Sequence, residues 1–98
     1  MAGVLVTPLA EADMAEIWGY IASDNRAAAD RLIRQISDMF DSLAANPELG
    51  LRYDSLRPGL RCKPVKRNYL IFYEVVDGVL RVLRVLHAAR HYEDLFRR

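Results

Sequence analysis

Cysteine is all but missing from this chain: Cys62 stands alone among 98 residues. That excludes an internal disulfide and leaves no second thiol for a metal cluster, and it fits a reducing compartment. Long apolar runs are missing as well, none approaching the roughly 20 residues a membrane helix needs. The N-terminal stretch MAGVLVTPLAE has neither the basic start nor the apolar core of a secretory leader. A cytoplasmic protein without a membrane partner is the expectation. There is no internal repeat, low-complexity tract or interdomain linker, so residues 1–98 read as one domain.

Net charge is scarce too, at +1, but that total hides an asymmetry. Residues 1–50 hold three basic and eight acidic side chains, a balance of −5, whereas residues 51–98 hold eleven basic and five acidic, a balance of +6. Either the C-terminal half presents a basic surface to an anionic partner, or the two halves neutralise each other in the fold. What the chain does have is apolar content, 52% of its residues. That is enough for one core and argues against disorder, although a domain this small has a modest stability margin.

Val4-Leu5-Val6 reads as a short strand. Thr7-Pro8 then opens a helix, with Thr as N-cap and Pro at the first helical position. Glu11, Asp13 and Glu16 follow early in that helix, where the dipole favours negative charge. Ala10, Met14, Ile17 and Ile21 mark its apolar face, with Trp18 on the flank. After Ser23-Asp24-Asn25 a second helix is predicted from Arg26 to Ala45, its stripe made by Ala29, Leu32, Ile33, Ile36, Phe40 and Leu43, and Asn46-Pro47 ends it. The short connection predicts an antiparallel helix hairpin. Glu48 to Gly59 reads as a loop. Leu60–Val65, Asn68–Val76 and Val79–His87 read as three strands, with Asp77-Gly78 as a two-residue hairpin turn. Arg90–Arg97 has room for a final helical turn or two. The expected architecture is α+β in the order β-α-α-β-β-β-α: an N-terminal strand, the helix hairpin, a three-stranded antiparallel meander completing a small sheet, and a short C-terminal helix.

The turn at 77–78 sets an expected register. It pairs Val76 with Val79, Glu74 with Arg81, Phe72 with Leu83 and Leu70 with Val85 on one face. The other face carries Tyr69, Ile71 and Tyr73 with Val82, Arg84 and Leu86. Glu74 and Arg81 lie close enough to the turn to reach water, whereas Arg84 is mid-strand. Leu70, Phe72, Leu83 and Val85 are therefore expected against the helices, and the face of Tyr69, Tyr73 and Arg84 is expected open, since Tyr and Arg tolerate half-burial.

The order of elements, at this length, resembles the RelE/ParE toxins. Leu9 to Ile21 (LAEADMAEIWGYI) resembles that family's first helix, which leads to Ile-Trp-x-Tyr. Ala44 to Gly50 (AANPELG) resembles its helix stop. Leu56 to Arg61 (LRPGLR) resembles the segment that starts the meander, Tyr69 to Tyr73 (YLIFY) its central strand, and Val82 to Arg90 (VLRVLHAAR) its last strand. Together these pieces cover roughly residues 4–95.

The resemblance implies the toxin of a type II toxin–antitoxin pair, associated with growth inhibition and plasmid stabilisation, and neutralised by a cognate ParD-like antitoxin. Members share a fold but not an activity. The ending VLHAAR and the low net charge favour the ParE branch, which implies inhibition of DNA gyrase by binding. That reading requires no catalytic residue, cofactor or metal, and no sequence-specific nucleic-acid contact by the toxin alone. The alternative is the RelE-like activity, cleavage of messenger RNA on the ribosome, for which Arg61, Arg84, His91 and Tyr92 are the candidates. Arg61, Lys63, Lys66, Arg67 and Arg84 would supply positive charge for it. His91 and Tyr92 are adjacent, however, and on a helix they would diverge by about 100°. A third reading is an inactive partner-binding member. For the antitoxin, Ile71, Tyr73, Val82 and Arg84 on the expected open face are the candidates, with Trp18 and Tyr20 on the helices as the alternative groove. For the target, Arg90, Leu95, Phe96, Arg97 and Arg98 in the tail are the candidates.

Overall fold

A computed structural model describes residues 3–66 and 68–89. Thr7 decides how the chain leaves its first strand. β1 (Gly3–Val6) runs parallel to the last strand, from Gly3 beside Val79 to Val6 beside Val82. The Thr7 N–H then continues the ladder to the Val82 carbonyl at 3.1 Å. The Thr7 hydroxyl lies 2.9 Å from the Val82 carbonyl and 3.1 Å from that of Leu83, and its single proton serves one or the other. Its lone pair accepts from the Ala10 N–H, which caps α1 (Pro8–Ala22). One side chain thus closes a strand and opens a helix.

Asn25 repeats the device for α2 (Arg26–Ala45), accepting from the Ala28 N–H at 3.0 Å. Most of the apolar stripe of α2 is buried as its spacing predicts, with Ala29, Ile36 and Leu43 fully enclosed and Phe40 nearly so, while Leu32 and Ile33 are half-buried. A 3-10 turn, Pro47–Leu49, leads to β2 (Leu51–Arg52), followed by β3 (Arg61–Val65), β4 (Tyr69–Val76) and β5 (Val79–His87). The sheet order is β1-β5-β4-β3-β2. The α+β class and the helix hairpin stand as expected. The sheet is larger than the expected meander, because β1 joins it in parallel and the expected 48–59 loop contributes β2. The expected C-terminal helix lies outside the described residues.

The Asp77-Gly78 turn has φ of 52° and 76°, as a two-residue hairpin of this kind requires. Near it the expected register holds, with Val76 opposite Val79 and Glu74 opposite Arg81. It then breaks. Tyr73 faces Val82 while Phe72 faces Arg84, so Leu83 is an extra residue in β5. A bulge of this kind moves every later side chain by one position, and Leu70 pairs with Leu86 rather than Val85.

The expected assignment of faces is also reversed. Ile71, Tyr73, Val82 and Val85 pack with Ile36, Phe40 and Leu43 beneath the helices. Phe72, Leu83 and Leu86 form a second cluster with Leu60 and Cys62, against which Tyr53, Leu56 and Leu70 pack. Of the four residues expected beneath the helices, only Val85 is there, and it arrives by way of the bulge. Charged pairs accompany the reversal. The expectation held that mid-strand Arg84 needs water, but Asp13 of α1 meets it with two hydrogen bonds, 2.7 and 2.8 Å long. Glu74, for which a path to water near the turn was supposed, is instead buried between Arg57 and Arg81. The segment between β2 and β3 folds over this second cluster through Tyr53 and Leu56. It is fastened by the Arg57–Glu74 pair at 3.5 Å and by Asp54 accepting from the Gly59 N–H at 2.9 Å.

Candidate functional site

Three polar constellations stand out, and each begins with a residue whose type is otherwise costly at its position. The first is Tyr73, fully buried in mid-sheet. Its hydroxyl accepts from the Gly50 N–H at 2.9 Å and donates to the Pro47 carbonyl, and Arg61 donates to the Gly50 carbonyl at 2.8 Å. Burial raises the Tyr73 pKa above its ordinary value, against the opposing pull of the Gly50 N–H and the Arg61 charge. Gly50 is required here by space. A Cβ on it would overlap the Tyr73 hydroxyl and sit 2.8 Å from two ring carbons. The constellation pins the chain after α2 to the sheet and offers no exposed reactive atom.

The second is the Asp13–Arg84 pair. Both side chains are largely enclosed, and Asp13 also accepts from the Val85 N–H at 3.0 Å, just past the bulge. The hydrogen bonds to Asp13 hold the Arg84 pKa above its ordinary value. α1 is therefore locked to the bulged strand by a charge-assisted fork. Sequence reasoning read Asp13 only as a helix-dipole charge. Its position, three residues after Ala10 and four before Ile17, was the available signal, because it places a carboxylate on the buried face.

The third lies at the loop end of the helix hairpin, where residues 23–25 join α1 to α2. Trp18 Nε1 donates to Asp30 Oδ1 at 2.8 Å, and the Arg26 guanidinium sits 5.7 Å from the Trp18 ring centroid. Tyr20 is 83% exposed beside them, and a cavity of about 530 Å³ opens there, lined by Tyr20, Ile21, Asp24, Asn25 and Ala28 among others. Trp18 thus joins the two helices, while Tyr20 is displayed.

Set against the expected sites, burial withdraws Ile71, Tyr73 and Val82 from the surface of the folded chain, all three being 0% exposed. Arg84 is engaged with Asp13. Trp18 and Tyr20 lie together at the hairpin end. Arg61 and Arg84 each serve a structural hydrogen bond. His91 and Tyr92, and the tail candidates Arg90, Leu95, Phe96, Arg97 and Arg98, lie outside the described residues, as does Arg67. Burial raises the Cys62 thiol to about 11, which keeps it protonated and unreactive. Among the described residues no cluster of His, Cys, Asp or Glu is placed to hold a metal ion, and no helix is long and apolar enough to cross a membrane.

Residues 4–92 match the family described as the ParE toxin of type II toxin–antitoxin system, parDE. The chain belongs to that ParE toxin family. Among curated proteins it is 36% identical to Toxin ParE1 of Mycobacterium tuberculosis over 86 residues, covering 85% of this chain and 86% of that one. It is 38% identical to Toxin RelE2 of Caulobacter vibrioides over 91 residues, covering 92% of this chain and 99% of the relative. Among solved structures, a chain from the chromosomal ParDE system of P. aeruginosa superposes with a TM-score of 0.74 at 21% identity, over 89% of this chain and 96% of that one. A chain of the Staphylococcus aureus YoeB-YefM complex gives 0.57 at 16% identity, over 87% and 94%. The ParE-family fold is thus shared across chains of quite different sequence.

Proposed function

We propose that this chain is a toxin that inhibits DNA gyrase by binding it, and that a cognate antitoxin, the small protein encoded beside its gene, holds it in check. The observation that carries the reading is the family match over residues 4–92. The geometry supports a binding role over a catalytic one. Arg84 spends its guanidinium on Asp13, and Arg61 donates to the Gly50 carbonyl. The two cations named for the nuclease reading thus have structural work of their own. The tail, with Arg90, Leu95, Phe96, Arg97 and Arg98, is the proposed gyrase-contacting segment. With Ile71, Tyr73 and Val82 enclosed, the exposed hairpin end at Trp18 and Tyr20 is the proposed antitoxin contact.

A second reading, ribosome-dependent cleavage of messenger RNA, is favoured by the 38% identity to a relative named as a RelE toxin. Induction from a tight promoter separates the readings. The gyrase reading expects growth arrest that co-expression of the neighbouring gene reverses, with transcripts intact. Codon-specific transcript ends would establish the nuclease reading, and unimpaired growth the inactive one.

A further inference from the structure

At the opposite end of α2 from Trp18 lies a groove between that helix and β3. It encloses about 390 Å³ and is lined by Gln35, Asp38, Met39 and Ser42 on the helix side and by Lys63, Pro64, Val65 and Lys66 on the strand side. Its floor is apolar: Val65 is buried, and Met39 packs on the core beneath the helices. Its strand wall is cationic. Among the described residues neither Lys63 nor Lys66 has an ion pair or a side-chain hydrogen bond. The other cationic side chains among the described residues 51–89 are committed, Arg52 to Asp54, Arg57 and Arg81 to Glu74, Arg84 to Asp13 and Arg61 to a carbonyl. Among the described residues, two lysines over an apolar floor are thus left without partners of their own.

We propose that this groove is a docking site for an acidic, amphipathic segment of the antitoxin, a proposal that rests on the toxin–antitoxin reading above. Charge selects the occupant. β2 pairs only with Arg61 and Cys62, so Lys63, Pro64 and Val65 form an outer stretch of β3 with no strand partner on that side among the described residues. A second copy of this chain laid antiparallel along that stretch would crowd the lysines of both copies along one short strand pair, which is unfavourable. An acidic segment turns the same lysines into an attraction that also speeds encounter. Pro64 has no N–H to donate, so a strand ladder there would be broken. Recognition then depends on apolar side chains seated on Met39 and Val65 and carboxylates against Lys63 and Lys66. Asp38, on the helix wall, opposes the acidic segment and sets a limit on its affinity.

The test uses the full chain and the purified product of the neighbouring gene. Lys63→Glu with Lys66→Glu is expected to weaken their affinity at least tenfold while the thermal transition and gyrase inhibition persist. Asp38→Lys is expected to tighten it severalfold. Should charge reversal unfold the chain, Lys63→Gln with Lys66→Gln is expected to give a smaller loss in the same direction. Unchanged affinity in a folded double variant overturns the groove. So does loss of binding to a 20-base-pair DNA duplex with antitoxin affinity intact, which assigns the groove to nucleic acid, or loss of a concentration-dependent dimer, which assigns it to a second copy. Failure of the wild-type chain to bind the neighbouring product defeats the toxin–antitoxin reading itself, whereas wild-type binding that the variants leave untouched defeats only the groove.

Discussion

Tyr73 shows how a single polar atom organises a buried region. Tyr73→Phe leaves the Gly50 N–H and Pro47 carbonyl without their partner, and an unsatisfied buried group costs about 1–3 kcal/mol. Gly50→Ala drives a methyl into the same hydroxyl and is expected to cost about 1–3 kcal/mol by overpacking. Urea unfolding measures both, and a loss well below the lower figure in either variant would show that the turn relaxes. The pH dependence has a definite sign. Because the folded-state Tyr73 pKa is raised, the unfolded chain loses this proton first as pH climbs past the ordinary tyrosine value of 10.0, and stability falls from there. Tyr73→Phe should flatten that alkaline decline. Cys62, raised to about 11, should resist iodoacetamide at pH 8 in the folded chain and react only with denaturant present. Rapid labelling of native protein would show that the cluster around it opens.

The elements were legible to unequal degrees, and the differences have physical causes. Local signals sufficed for the helices: Thr7, Pro8 and Asn25 mark starts and Asn46 an end, and these act within a few residues. The hairpin turn at Asp77-Gly78 was legible for the same reason. The orientation of the sheet was not, because both faces of β4 and β5 are apolar and periodicity alone cannot rank them. The choice fell to the charged residues, and their partners are remote in sequence: Asp13 is 71 residues from Arg84. The bulge at Leu83 leaves no local mark either. Of the candidate site residues, Ile71, Tyr73 and Val82 were misplaced along with the face, whereas Trp18 and Tyr20 stand on α1, the helix on which the sequence put them. The cross-element pair yields its own prediction. Arg84→Ala strands the Asp13 carboxylate in an enclosed position, which costs about 3 kcal/mol or more when one partner of a buried pair is removed. Replacing both, Asp13→Leu with Arg84→Met, should recover much of that loss by denaturant titration and retain toxicity. Recovered stability with toxicity abolished would give Arg84 a role in function beyond the fold.

Across the whole molecule, charge and surface follow the two layers. The half of the chain that supplies the helices carries the −5 balance and the half that supplies most of the sheet the +6, and Asp13–Arg84 is one seam between them. The neutralisation is partial: among the described residues Lys63 and Lys66 have no ion pair, which is the ground of the groove proposal above. Removing residues 90–98 should abolish toxicity while the thermal transition and antitoxin binding persist; a collapsed fold would instead make the tail part of the core. The central claim is that this chain acts by binding gyrase, and purified gyrase tests it most directly. Titrating the chain into a supercoiling reaction should stop supercoiling and accumulate cleaved DNA, and stoichiometric antitoxin should restore activity. Undiminished supercoiling at all concentrations of a folded, growth-arresting chain would contradict the account.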